Sequence, residues 1–146
     1  MKIGIASDHG GYELKQKLID YYKNIYEVID YGTNDELLVD FPDYAFILGE
    51  NISKKNIDLG IGICTTGIGM SIALNKVNGV ICAKLDSIND STYAKRHNGA
   101  NAIAIGGYNS FRKAKKLIDN FLKQNLDSKE RYKIRIEKIR KYEDEH

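Results

Sequence analysis

The sequence has no tryptophan, a single proline (Pro42), two methionines and only two cysteines, Cys64 and Cys82, among its 146 residues. Two cysteines without C-x-x-C or zinc-ligand spacing exclude a disulfide-stapled scaffold and a structural zinc site, and no metal or other cofactor is implied. One proline leaves no Pro-rich linker, and there is neither a repeat nor a low-complexity segment, so residues 1–146 read as one domain. The first apolar stretch runs only from Ile3 to Ala6 before Asp8, too short for the core of a secretory signal, which points to the cytoplasm. The longest charge-free run, Leu59 to Leu74, is fenced by Asp58 and Lys76 and falls short of the roughly 18–20 apolar residues a membrane span needs, so no membrane is expected. With 42% hydrophobic residues, 29% charged and a net charge of +2, the chain can bury a proper core.

The charge is unevenly spread. From Arg112 to Lys141 there are 12 Lys/Arg against 4 Asp/Glu, which leaves a deficit of 6 for the rest of the chain. A basic segment of this kind meets nucleic acid or a phosphorylated small molecule, or is simply a solvated helix face. No nucleic-acid motif accompanies it, so nucleic acid is not expected as a partner.

The stretch from Ile57 to Lys76 is too long for one strand and is interrupted by Gly60, Gly62, Gly67 and Gly69, so it must change structure partway. Leu59, Ile61 and Ile63 suit a buried strand, Cys64 to Gly67 supply turn residues, and Ile68, Ile72 and Leu74 are expected to face a core from a helix. Cys64 then sits at a strand-to-helix switch, where the N–H groups of Thr65 to Gly69 form an anion-binding cup and lower the thiol pKa. The plainer reading is a buried structural cysteine.

Elsewhere the chain alternates. Lys2 to Ser7 reads as a strand ending in Asp8-His9-Gly10-Gly11, followed by a helix with Leu14, Leu18 and Ile19 on its apolar face. Tyr26 to Tyr31 is a second strand, and Phe41-Pro42-Asp43 starts a helix reaching about Lys55. A fourth strand spans Gly79 to Lys84, Ser87 caps a helix to about His97, Asn101 to Ile105 is a fifth strand, and Ser110 caps a helix to about Lys123. A last helix, Ser128 to Tyr142, carries an apolar stripe of Tyr132, Ile136 and Ile139. Five strands alternating with helices predict an α/β fold, a three-layer α/β/α (Rossmann-like) architecture with a five-stranded parallel sheet and one additional C-terminal helix. Ligands of such sheets lie beyond the strand C-termini, where Asp8, His9, Cys64 and Asp86 fall. If strands one and three are neighbours, the two turns share a crevice.

Further along, His97 ends a helix, and Arg131 and Arg135 share one helix face at a spacing that suits gripping a dianion. Each has a structural reading as well: Asp8 as an N-cap, His97 as a capping or surface histidine, the arginines as a charged face.

Taken in order, Ser7 to Gly10 (SDHG), Asp40 to Ala45 (DFPDYA), Cys64 to Gly69 (CTTGIG), Ala73 to Lys76 (ALNK), Arg96 to Asn98 (RHN) and Arg131 to Arg135 (RYKIR) resemble the motifs of the RpiB/LacAB family of sugar-phosphate isomerases, most closely its type B ribose-5-phosphate isomerases. The resemblance covers nearly the whole chain. It implies an aldose–ketose isomerase of ribose 5-phosphate and ribulose 5-phosphate, in the pentose phosphate pathway, with Cys64 as the base that forms an enediolate. It implies further that Thr66 and the amides of Thr65, Gly67, Ile68 and Gly69 stabilise the enediolate, that His97 opens the sugar ring and that Asn98 contacts the sugar. Asp8 and His9 would be sugar and phosphate ligands, and Arg131 with Arg135 the phosphate clamp. The family is usually homodimeric, in places a dimer of dimers, with each pocket completed by the partner subunit. Two positions depart from the pattern: Thr65 replaces a glycine, and Tyr108 stands where a third phosphate arginine is common. Some relatives place a carboxylate where Met70 stands, which leaves the thiol as base. The alternatives are an allose- or galactose-6-phosphate isomerase and a non-catalytic phosphate-binding module.

Overall fold

Strand β1 (Lys2–Ser7) opens the computed structural model, which describes residues 1–146. A short turn of 3-10 helix (His9–Gly11) leads into α1 (Tyr12–Tyr22), followed by β2 (Glu27–Asp30), α2 (Phe41–Ser53), β3 (Leu59–Cys64) and α3 (Ile68–Leu74). Then come β4 (Cys82–Lys84), α4 (Ile88–Arg96), β5 (Ala102–Gly106), α5 (Phe111–Leu122) and α6 (Glu130–Glu145). All strand pairings are parallel and the order is β2-β1-β3-β5-β4, so β3 is central and flanked by β1 and β5. Its pattern LGIGIC is buried throughout, as a central parallel strand covered on both faces requires.

The two faces bury separate cores. Ile3, Ile5, Ile61, Ile63, Ile103 and Ile105 pack against α1, α4 and α5, while Ala6, Cys64, Ala102 and Ala104 pack against α2 and α3. Small residues on the second face let α3, only seven residues long, lie close to the strands. The expected capping residues act as such: Ser87 forms a capping box with Asp90, and the Ser110 side chain accepts from the Lys113 N–H. No helix is long and apolar enough to cross a membrane.

Three expectations are corrected. Ile68 and Ile72 do not face the core: they are 53% and 59% exposed, and Met70 and Ala73 point inward with Leu74, which is buried as expected. Gly67, whose backbone is left-handed, is the N-cap of α3, and Ile68 in the first turn and Ile72 four residues later share the outward face of the helix. Strand β4 begins at Cys82 rather than Gly79, because the Asn101 side chain takes the Ile81 N–H and the Gly79 carbonyl and holds that segment as a turn. On α6 the stripe of Tyr132, Ile136 and Ile139 is not a buried face: only Tyr132 is buried, and Ile139 is 53% exposed.

Candidate active site

Strands β1 and β3 pair side by side, so the turns that follow them meet at the C-terminal edge of the sheet. Asp8 is buried, and its Oδ1 accepts hydrogen bonds from the N–H groups of Gly10 (2.9 Å) and Gly11 (3.2 Å), the N-cap role its position allows. His9 Nδ1 lies 3.2 Å from the Val39 carbonyl and 3.3 Å from its N–H, so the segment before α2 closes over this turn. Behind it, the fully buried Lys15 ammonium contacts both carboxylate oxygens of Asp30 at 2.8 Å. Asp30 also accepts from the Gly32 N–H at 2.8 Å, and Gly32 in turn accepts from the Ser7 N–H at 2.6 Å. An ion pair between buried Lys15 and the partly exposed Asp30 thereby braces the strand end that carries Asp8.

Cys64 ends β3, 4% exposed, and its Sγ accepts a hydrogen bond from the Gly67 N–H at 3.1 Å. The left-handed backbone that the loop needs falls on Gly67 (φ 78°) and not on Thr65, so the threonine in place of a glycine is accommodated. What Thr65 does demand is a bare backbone opposite: a Cβ at Gly10 would run into its Oγ1. Thr66 Oγ1 accepts from the Ile68 N–H at 3.2 Å, which leaves its hydroxyl hydrogen free to donate. The N–H groups of Thr65 and Thr66 make no hydrogen bond within the chain. From the other side, the Gly107 N–H donates to the Cys64 carbonyl at 2.7 Å, and a Cβ on Gly107 would strike the Gly10 carbonyl. Three turns therefore converge on the thiol. The arrangement can take a proton at sulfur and hold a developing oxyanion on unpaired donors.

The second cysteine differs. Cys82 lies on the edge strand, and burial pushes its thiol up to about 12 despite a hydrogen bond with Ser71.

At the same edge of the sheet, Tyr108 lies over Gly106, its hydroxyl donating to Asp86 at 2.9 Å, while Lys84 pairs with the other oxygen of that carboxylate. The Lys84 hydrogen bond, opposed by partial burial, and then the Tyr108 hydroxyl and the Lys84 and Lys113 charges hold the Asp86 carboxyl below the usual carboxylate range.

His97, Asn98, Arg131 and Arg135 are not in this crevice. Helix α4 starts after β4 and runs back along the sheet, so His97 at its end precedes the first residue of β5, whereas Cys64 pairs with Gly106, the last. The five residues of β5 separate the two ends by about 13 Å of strand. Lys95 and Ala100 line a cavity of about 230 Å³ with Met1, Asp58 and Leu59, and Arg140 lines another with Ile57, Asp58 and Asn101, which fixes this region at the N-terminal edge of the strands. There His97 is stacked between two tyrosine rings, Tyr93 at 4.5 Å and Tyr132 at 4.2 Å between centroids. Asn98 Nδ2 donates to the Tyr93 carbonyl at 3.0 Å. The Arg131 and Arg135 guanidinium carbons lie 5.0 and 5.9 Å from the centroid of the Tyr132 ring. The Tyr132 hydroxyl, which accepts from Arg131 Nη2 at 3.3 Å, favours the charged guanidinium of Arg131.

The sequence reading singled out neither Tyr93 nor the ion pair of Lys15 and Asp30. Tyr93 stands four residues before His97 on one helix, a spacing at which side chains meet. Lys15 carried no such signal, since a lysine on an amphipathic helix is ordinarily solvated.

A family model described as Ribose/Galactose Isomerase matches residues 3–139. The chain is 37% identical to the protein of Mycoplasma genitalium named "Probable ribose-5-phosphate isomerase B", over 98% of this chain and 96% of that one. Ribose-5-phosphate isomerase B of Clostridium thermocellum superposes with a TM-score of 0.95 at 39% identity, covering 99% of both chains. Ribose-5-phosphate isomerase B of Mycoplasma genitalium, solved with bound ribulose-5-phosphate, superposes with a TM-score of 0.94 at 37% identity over 99% of this chain and 97% of that one.

Proposed function

The chain belongs to the ribose/galactose isomerase family, and on that footing we propose that it interconverts ribose 5-phosphate and ribulose 5-phosphate by proton transfer through an enediolate. The observation that carries this reading is the Cys64 sulfur, with the Gly67 N–H donating to it at 3.1 Å beside the turn of Asp8 to Gly11. Cys64 as thiolate takes the C2 proton of the open-chain aldose and returns it to C1, and the reverse in the other direction. The sulfur's contact with an amide strengthens as the sulfur carries charge. The Thr65 and Thr66 N–H groups and the Thr66 hydroxyl stabilise the enediolate oxygen, the role of an oxyanion hole. Asp8 and His9 hold sugar and phosphate, His97 exchanges the proton that opens the furanose ring, Asn98 holds the sugar near it, and Arg131 with Arg135 grips the phosphate.

These groups occupy opposite ends of the sheet, so the reading requires a homodimer in which one protomer's Cys64 crevice meets the other's His97 end. Two features support it. Ile68 and Ile72, beside the Cys64 loop, are more than half exposed, and α6 buries a single residue against its own chain.

Initial rates with ribose 5-phosphate, allose 6-phosphate and galactose 6-phosphate test the activity. We expect the five-carbon substrate to be preferred; preference for a six-carbon sugar would reassign the substrate, and no activity on any of them would leave a phosphate-binding module. Mixing Cys64→Ser and His97→Asn protomers tests the shared site. If each pocket draws on both protomers, an equal mixture regains about a quarter of wild-type activity, because half the dimers are mixed and each has one intact site. No recovery after subunit exchange would put both residues in one chain's pocket.

A further inference from the structure

We propose that Tyr132, backed by Tyr93, is the positioning residue of the His97 half-site, holding the imidazole and both guanidinium groups on one aromatic ring as a preassembled unit. The inference rests on the reading that His97 opens the sugar ring and that the two arginines hold the phosphate.

A histidine that moves protons is usually aimed by a hydrogen bond from its second nitrogen to a carboxylate or carbonyl. His97 has none: neither ring nitrogen is hydrogen-bonded within the chain, and only its backbone N–H is engaged, at 3.0 Å to the Tyr93 carbonyl. Stacking does the aiming. The Tyr132 ring lies 4.2 Å from the imidazole at an interplanar angle of 8°, and Tyr93 covers the other face at 4.5 Å and 22°. Held this way, the ring is fixed in its plane while both nitrogens stay available to the substrate. Tyr132 also gathers Arg131, at 5.0 Å with a hydrogen bond to its hydroxyl, and Arg135, at 5.9 Å. It is the one buried residue of α6, so the ring that aligns the chemistry also anchors the helix bearing the arginines. Tyr93 stacks on the imidazole, whereas both guanidinium groups lie against the Tyr132 ring. The two tyrosines therefore have separable effects.

The test compares Tyr93→Leu, Tyr93→Phe, Tyr132→Leu and Tyr132→Phe, with His97→Asn as reference. Two quantities are measured: kcat in each direction, and inhibition by inorganic phosphate. The equilibrium constant ties the two kcat/KM values together, so loss of ring opening is read in kcat, which falls for the cyclic aldose and holds for ribulose 5-phosphate. We expect Tyr93→Leu to lower kcat on ribose 5-phosphate about fivefold to tenfold relative to the reverse direction, with phosphate inhibition unchanged. Tyr132→Leu should show the same asymmetry and weaken phosphate inhibition about tenfold as well. Both Phe variants should restore the ratio of the two kcat values, Tyr132→Phe keeping a small loss of phosphate affinity from the missing hydroxyl. Because Tyr93 is 47% exposed, Tyr93→Leu remains folded and decides the matter even if Tyr132→Leu does not. Equal losses in both directions in the Leu variants, while His97→Asn is asymmetric, would overturn the positioning role alone. Equal losses in His97→Asn itself would overturn the ring-opening reading and this inference with it.

Discussion

The two ends of the sheet are held in different ways. At the C-terminal edge, the ends of three strands converge, Asp8 bonding to the Ile63 carbonyl and Gly107 to that of Cys64, over a base braced by the ion pair of buried Lys15 with Asp30. The turns there pack tightly on one another, with no space for a Cβ at Gly10, against the Thr65 hydroxyl, or at Gly107, against the Gly10 carbonyl. At the N-terminal edge the candidate groups rest on three stacked rings and on a helix of 16 residues that buries one. The first arrangement follows from the fold itself. The second is under-supported within the chain, which is what a surface completed by a second protomer looks like before it is covered.

Removing the thiol should give the largest effect. Cys64→Ser is nearly isosteric and keeps the Gly67 N–H contact, so the fold and melting temperature are expected to hold, while kcat falls at least about a thousandfold because an alcohol is a poor base at neutral pH. Near-normal turnover would end the thiolate role. Alkylation sharpens the same contrast between the two cysteines. With its thiol pushed up to about 12 by burial, Cys82 carries almost no thiolate at pH 8, so iodoacetamide should inactivate through Cys64 and substrate should protect. A labelled peptide containing Cys82 with Cys64 untouched would count against the assignment.

At the opposite edge, His97→Asn is expected to lower kcat on ribose 5-phosphate by about tenfold to a hundredfold, with KM falling alongside as cyclic substrate binds unproductively. Ribulose 5-phosphate cannot close a furanose ring, because its 5-hydroxyl is esterified, so kcat in that direction should change little. Parallel losses would return His97 to a structural role. Cutting Arg131 or Arg135 to Ala removes about 1.5–3 kcal/mol of charge-assisted bonding each, roughly a 10- to 150-fold drop in kcat/KM. Since both guanidiniums share the Tyr132 ring and one ligand group, the double variant should lose less than the product of the singles. Unchanged inhibition by inorganic phosphate in both single variants would put these arginines on a solvated face.

The same contrast explains what was legible in the sequence. Periodicity and caps located every strand and helix of the sheet, and the glycine-rich turns announced the Cys64 crevice, because local backbone demands leave local signatures. Ile68 and Ile72 were misassigned for a related reason. Hydrophobicity marks a residue for burial without saying whether its own core or another chain supplies it, and on α3, capped by Gly67, Met70, Ala73 and Leu74 take the inward face. The His97 end was legible only as scattered residues, since the stack that gathers Tyr93, His97 and Tyr132 joins α4 to α6 across more than thirty positions. Nothing within a helical window reports such a contact.

The smallest effect concerns Tyr108, where a third phosphate arginine is common among the proteins this chain resembles. Inserting that arginine should do little by itself. Tyr108 sits against Asp86, its hydroxyl 2.9 Å from a carboxylate that Lys84 also pairs, and these contacts hold the Asp86 carboxyl below the usual range. Asp86 is therefore ionised throughout the neutral range, and a guanidinium placed at position 108 would be captured by it before reaching a substrate phosphate. Tyr108→Arg should tighten inhibition by inorganic phosphate by less than about threefold, whereas Tyr108→Arg combined with Asp86→Asn should tighten it by about tenfold, as one charge-assisted contact allows. A tenfold gain from Tyr108→Arg alone would show that Asp86 does not restrain the new side chain. No gain in either variant would place position 108 out of reach of the phosphate, leaving His9, Arg131 and Arg135 as its whole cage.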